Sequence, residues 1–403
     1  MKLDKLLKAL VSSLLFWIIL AVGVGVILGY FLNYGGIAVV VSINHIVRQM
    51  IMFIIPLVVF VMISSSITKV GNKGTKVIRT AFLVVIIDYV VAIIFGLSAG
   101  QLLRLFSPAP VYSYDPPELP TNRFPLHFDP LLTMSSAFLL ALLVGIAILA
   151  TRQHEKTKPV FESAETVVKW ILKRFLMPLM PIFSGTTIAL FVWRGGTSDM
   201  FQIIGITLGI IVGTQILFMA AVFGIASFLS KRNTFRLLKH YGGISVVAMT
   251  TMSSAITMNV VFERLSERNV LNKKTIEFGV PFFANTSFYG TMISVIVGIM
   301  GTSLAVYGSL PDFGPLLLFS IISALILMSS PGMHGGGVVA VMLVAEAVLG
   351  FGVLALALFF IIETLADPMS TVTNVISDGA ALDAVDKKIL QIEKESEAKV
   401  SHD

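Results

Sequence analysis

Apolar runs long enough to cross a bilayer follow one another along this chain, and that repetition restricts the fold more than any single motif. Roughly 11–32, 40–66, 80–106, 130–151, 166–193 and 200–230 each read as a span, because about 20 apolar residues in a helix cover the hydrocarbon core. Of the 403 residues, 56% are hydrophobic and only 13% charged, with a mean hydropathy of +0.91, whereas a soluble domain carries about 25% charged residues. Helices and closed barrels alone satisfy their own backbone in lipid, so the expectation is an all-α polytopic membrane protein. The N-terminal stretch MKLDKLLKALVSSLLFWIILAVGVGVILGYFL has the charge of a signal peptide but an apolar run of span length, and is expected to remain as the first span.

Basic residues set the orientation. Lys2, Lys5 and Lys8, then Lys69, Lys73, Lys76 and Arg79, then Arg152, Lys156 and Lys158, then Lys231, Arg232, Arg236 and Lys239 collect in alternate loops. The intervening loops, such as NYGG and PAPVYSYDPPELPTNRFPLHFDP, hold no lysine. The positive-inside rule then places both termini in the cytoplasm and the chain in the plasma (inner) membrane. The net charge of +6 reports topology and does not argue for a nucleic acid partner. No cysteine is present, which excludes thiolate chemistry and Cys-based metal sites. There is no H-E-x-x-H and no P-loop, and no G-x-S-x-G elbow surrounds Ser253 and Ser254. The chain is not expected to be an enzyme.

Two segments break the pattern of spans. The first, about 240–265, reads YGGISVVAMTTMSSAITMNVVFER with charged loops on both sides, so it is expected to enter and leave by one face as a re-entrant hairpin with its tip at Thr250–Ser254. The second, about 315–350, has SSPGMHGGG at its centre, where a proline and clustered glycines cannot continue a regular helix. Each is followed by a clean span, 276–301 and 353–380. The last of these carries Glu363, Asp367, Thr371, Asn374 and Asp378, spaced four, four, three and four, which is one stripe on a helix. Ionisable groups at membrane depth face cavities or one another, and Pro368 frees a carbonyl near Thr364. Broken segments in corresponding positions of two halves point to a transporter site for a small-molecule substrate.

This order of six spans, serine-bearing hairpin, polar span, glycine-rich hairpin and acidic final span resembles the glutamate transporter family, the dicarboxylate/amino acid:cation symporters. The likeness covers most of the chain and is clearest from about 240 to 386. It implies eight transmembrane helices plus two re-entrant helical hairpins, arranged as inverted repeats in a homotrimer that works as an elevator. It further implies a scaffold of residues 1–79 and 107–193, a mobile transport domain of 80–106 and 194–386, and a cytoplasmic tail of 387–403.

Position by position, the resemblance assigns Asp367 to the substrate amino group, with Thr371 one turn on. Asn374 and Asp378 match the residues that hold substrate and sodium. Ser253 and Ser254 match the serine tip that meets an α-carboxylate. Gly332, Gly335, Gly336 and Gly337 match the second tip, with His334 where the family usually has proline. Thr291 completes the expected substrate set, in which Gly335 and Ser370 are also counted. The chain departs from the family in two places. Ser370 and Met252 stand where acidic-amino-acid carriers place an arginine, so a buried dicarboxylate would lack its partner and a neutral amino acid fits better. The family's N-M-D-G-T motif appears as Ser287-Phe288-Tyr289-Gly290-Thr291, without the acid of one sodium site.

Asp88 lies near that site, as a replacement charge, a proton carrier or a structural acid. Ser287, Tyr289, Asn374 and Asp378 join it as the expected cation-binding or coupling group, with sodium ions or protons as coupling ions and no other cofactor. Glu346 and Glu363 read as packing or proton-linked acids, and His45 and Arg48 as interfacial residues. The resulting expectation is a cation-coupled symporter of a small neutral amino acid. The alternatives are a proton-coupled carrier of another organic solute and an ion-conducting channel on the same fold.

Overall fold

The computed structural model describes residues 14–70, 76–106, 120–121, 123–124, 131–132, 134–151, 153–171, 174–175, 177–194, 198–267, 270–329 and 336–400. Among them all regular structure is helical. The first helices are α1 (Leu14–Phe31), α2 (Tyr34–Val70), α3 (Lys76–Gly100), the single turn α4 (Leu103–Phe106), α5 (Met134–Ala150), α6 (His154–Ile171), α7 (Met177–Trp193) and α8 (Ser198–Ser230). A 3-10 turn at Thr234–Leu237 leads into α9 (Leu238–Thr251), α10 (Ser254–Glu267), α11 (Lys273–Ala284), α12 (Tyr289–Tyr307), α13 (Phe313–Ser329), α14 (Gly336–Leu349) and α15 (Val353–Val400).

Arg79–Phe106, Phe201–Ser230 and Thr275–Tyr307 are long and apolar enough to cross a membrane, and Phe16–Phe31, Pro178–Trp193 and Phe313–Met328 are shorter apolar helices. On α3, Leu83, Ile86, Ile87, Val90 and Ile94 are exposed while Ala81, Val85, Tyr89 and Ala92 are buried. A helix that is apolar on both its outer and inner faces needs lipid outside. This is a membrane protein.

Some expected boundaries move. The expected fifth span, 166–193, divides into the end of α6 and α7. Pro178 sits in the first turn of α7, where its missing N–H does no harm. The expected clean span 276–301 is broken between α11 and α12, where Asn285–Phe288 leaves the helix. Phe288 has φ −119 and ψ 46, and its N–H turns aside to the hydroxyl of Tyr89 on α3 at 3.1 Å. The last span is the opening part of a 48-residue helix that takes Pro368 in its interior.

Both irregular segments form pairs of packed helices, α9 with α10 and α13 with α14. The first pair turns at Met252–Ser253, with Met252 in the left-handed region at φ 48, a conformation that strains a residue with a side chain by about 1–2 kcal/mol. The second turn, residues 330–335, lies outside the described residues, and with it Gly332, His334 and Gly335.

α12 is the enclosed centre, buried at every position from Tyr289 to Ser303. It packs against α15, α3 and α8, while α9, α10 and α11 pack on α15. Gly290, Ser294 and Gly298 recur every four residues and make one small-residue stripe facing α15, the pattern that lets helix backbones approach closely in membranes. A Cβ on Gly290 would lie 2.5 Å from the Ser370 carbonyl oxygen and 2.7 Å from Thr373 Cβ. α1, α2, α5, α6 and α7 pack chiefly among themselves, α1 on α7 and α2 on α5, α6 and α7.

Candidate functional site

The helix break before α12 faces the acidic stripe of α15, and the two are tied by one amide. Asn374 Oδ1 accepts from the backbone N–H groups of Gly290 at 2.7 Å and Thr291 at 3.4 Å, and its Nδ2 donates to Thr291 Oγ1 at 3.1 Å. A helix start leaves its first N–H groups without partners. Here a residue more than eighty positions downstream serves as the cap. Asn374 thus caps the first turn of α12 and ties Thr291 to α15.

Gln215 on α8 closes the other side. Its Nε2 donates to the Gly290 carbonyl at 3.0 Å and to Ser370 Oγ at 2.8 Å, and its Oε1 is buried without a hydrogen-bond partner. An amide from another helix thus occupies the neighbourhood of Ser370, where the resemblance pointed to a missing arginine. Thr371 Oγ1 lies 3.5 Å from Asp367 Oδ1, so the hydroxyl and the acid share one turn of α15. Asp367 is half-buried, whereas Ser370, Thr371, Asn374 and Asp378 are buried.

A second polar group lies one turn further along. Asp88 faces the Tyr289 hydroxyl, and Asp378 faces Ser287. Tyr289 is clamped by ring contacts with Tyr89 at 5.1 Å and Phe218 at 5.9 Å. Ser287 Oγ, Tyr289 OH and Asp378 Oδ1 are all enclosed without closing a regular hydrogen bond, as is Tyr241 OH on α9. Tyr241 OH lies 3.0 Å from where a Cβ on Gly379 would sit. Buried polar atoms are nearly always partnered, so a group of orphaned oxygens marks a place built to receive something. Oxygen donors with two carboxylates suit a hard cation, and Ser287, Tyr289, Asp88 and Asp378 are the residues that would hold it, supplying charge and oxygen contacts.

Ser253 and Ser254 are buried, and α9 and α10 both lie on α15. The hydrogen bonds formed by the Ser253 carbonyl stay within the hairpin, to the N–H of Thr257 at 3.0 Å and its hydroxyl at 2.8 Å. Arg48 pairs with Glu346 at 3.1 Å, so neither is a bare interfacial charge. It links α2 to α14.

Gln215, Ser294, Tyr89 and Tyr241 were not foreseen. Gln215 did leave a trace, as a lone amide inside the apolar run GTQILF.

Helices of lipid-facing length around a broken helix, with buried acids and orphaned oxygens at the break, define a membrane transporter rather than an enzyme. Residues 14–388 match the sodium:dicarboxylate symporter family, and the chain belongs to that family. It is 23% identical to the C4-dicarboxylate transport protein of Anaeromyxobacter sp. (strain K), over 94% of this chain and 91% of that one. It is 23% identical to that of Laribacter hongkongensis (strain HLHK9), over 94% and 90%, and 22% identical to that of Xylella fastidiosa (strain 9a5c), over 92% and 86%. At such identities this chain is a divergent member.

Proposed function

We propose that the chain is a cation-coupled symporter of a small neutral amino acid. The observation that carries this reading is the charge balance around α15. Asp367 with Thr371 offers a carboxylate to an ammonium group, while α7, α8, α12, α13, α14 and α15 before Lys387 contain no lysine or arginine. A dicarboxylate in this place would keep its second charge unpaired, at several kcal/mol. The serine tip of Ser253 and Ser254 and the Gly335 tip receive the α-carboxylate, Thr291 and Ser370 line the pocket, and Asp378 with Asp88, Ser287, Tyr289 and Asn374 takes the coupling ion, sodium or a proton.

The same reading makes the α9–α10 and α13–α14 pairs re-entrant hairpins in an eight-span inverted repeat, with cytoplasmic termini in the plasma (inner) membrane. α1, α2, α5, α6 and α7 form the fixed scaffold of a homotrimer, residues 1–79 and 107–193. Residues 80–106 and 194–386 travel as an elevator. The mutual packing of α12, α15, α8 and α3 supports this division.

The names of the relatives favour a second reading, a carrier of C4-dicarboxylates. Purified protein in proteoliposomes separates the two. Labelled L-alanine and L-serine are expected to accumulate down an imposed sodium or proton gradient, with succinate a poor competitor. Accumulation of succinate alone would overturn the amino acid assignment, and current without accumulation would indicate a pore.

A further inference from the structure

Glu363 has no part in that scheme. It sits on α15 one turn before Asp367, 2% exposed, and faces α12. Its Oε2 lies 2.8 Å from Ser294 Oγ, and the same Oγ lies 3.0 Å from the Thr291 carbonyl oxygen. A hydroxyl has one proton to give. Ser294 Oγ is placed to donate both to Glu363 Oε2 and to the Thr291 carbonyl. Its single proton serves one of them at a time, so a proton on Oε2 supplies the contact that Ser294 leaves open when it donates to Thr291. The sequence Glu363 Oε2–H to Ser294 Oγ, then Ser294 Oγ–H to the Thr291 carbonyl, gives both contacts a donor.

The other oxygen supports the same assignment. Oε1 is buried without a hydrogen-bond partner and lies over Gly298, where a Cβ would stand 2.8 Å from it. Leaving one oxygen of a neutral acid unpartnered costs about 1–3 kcal/mol, and more for a charged group. Among the described residues no cation stands against it. The charged group facing Glu363 is Asp367, which repels an anion. Among the helices packed on α15, α7 brings no titratable side chain, nor does α8 from Phe201 onward, and α1 brings only Tyr30. α12 brings Tyr289 and Tyr307, α3 brings Asp88 and Tyr89 with Lys76 and Arg79 in its first turn, and α14 brings Glu346, which is paired with Arg48. α9 and α11 meet α15 near Gly379 and Asp386, and the charges of α10 (Glu263, Arg264, Glu267) lie in its last turns.

We infer that Glu363 is a proton-binding site, loaded and emptied as the carrier works, which keeps the sealed centre neutral beside Asp367. The inference rests on reading the chain as a carrier whose α15 moves. A proton from water on one side forms the O–H bond at Oε2 while the site is open. The hydronium ion that supplies it loses one O–H bond, the proton travels with α15, and on the other side the Oε2–H bond breaks as a water molecule there takes the proton back. Gly298 and Ser294 are the positioning residues: one makes room for the acid and the other relays its hydrogen.

Infrared spectroscopy of the purified full-length chain at neutral pH tests the site without any solute. The wild-type spectrum minus that of Glu363→Gln is expected to contain a protonated-carboxyl C=O band, and Ser294→Ala is expected to shift that band without removing it. Absence of the band from the difference spectrum would overturn the proposal. Proteoliposomes with an internal pH dye and L-alanine as probe test the movement. Wild type is expected to acidify the lumen during alanine uptake, and Glu363→Gln to lose that proton flux while retaining alanine exchange. Proton flux that survives in Glu363→Gln would equally overturn it. If wild type does not transport alanine, the amino acid reading fails, and the infrared band still decides whether Glu363 holds a proton.

Discussion

α15 carries two groups of acids, Glu363 to Asp378 and Asp383 with Asp386, and the chain treats them oppositely. Asp386 is saturated: Oδ1 accepts from the Asn272 N–H at 2.8 Å and Thr275 Oγ1 at 2.9 Å, while Oδ2 meets Arg232 Nη1 at 3.1 Å. Asp383 accepts from Thr234 Oγ1 at 2.8 Å and faces Arg236 at 3.6 Å. Lys387 donates to the Leu229 carbonyl at 2.6 Å. The end of α8, the 3-10 turn and the start of α11 are thereby bolted to α15. In the earlier group Glu363 and Asp378 keep orphaned oxygens, and α7, α8, α12, α13, α14 and the part of α15 before Lys387 carry no lysine or arginine. Burial alone does not separate the groups, and Asp383 Oδ1 also lacks a hydrogen bond, but it stands beside Arg236. The acids tied to arginine hold the fold, and the proposed passenger site lies among those that are not.

Substitutions can break that contrast. The largest effect is expected from Asp367→Asn, which removes the partner of an ammonium group. Amino acid affinity should fall more than a hundredfold, in line with the roughly 3–5 kcal/mol attached to breaking a buried charge pair, as read by isothermal titration. Unchanged affinity would remove Asp367 from the site. Asp386→Ala should lower stability by about 3–5 kcal/mol, because Arg232 loses its buried partner. Thermal unfolding measures this, and Asp378→Asn should leave the melting temperature near wild type while flattening any sodium dependence of solute binding. A reversed order, with Asp378→Asn the more destabilising, would end the comparison.

Gly290→Ala sharpens it on the partner helix. Its methyl group would collide with the Ser370 carbonyl oxygen, so α12 must move from α15 at about 1–3 kcal/mol, and transport should fail before the protein unfolds. The smallest effect belongs to Arg48→Gln. Its pair with Glu346 is about one-third exposed, so its loss should change stability by no more than about 1 kcal/mol.

Much of this was legible before the coordinates. The spacing of Glu363, Asp367, Thr371, Asn374 and Asp378 has one helical solution, and α15 realises it because nothing in Val353–Val400 except Pro368 interrupts a helix. The turn at Met252–Ser253 fell inside the expected tip. The break at Asn285–Phe288 was not legible as a break, although its polar residues were noticed. Its helix start is completed by Asn374, and periodicity within a window cannot report a cap supplied from another helix. Gln215 was missed for a similar reason: a single amide in an apolar run means nothing until Ser370 and the Gly290 carbonyl are seen beside it. The solute is hardest to read, because it depends on which charges are absent from a pocket.

The length of α15 has a mechanical consequence. At 1.5 Å per residue its 48 residues reach about 72 Å, more than twice the roughly 30 Å of hydrocarbon. The acids occupy its first half and the middle, and the helix runs on unbroken to Val400. Any shift or tilt of the polar centre is therefore transmitted along one shaft, and a spectroscopic label beyond Gln391 would register it at a distance from the acids.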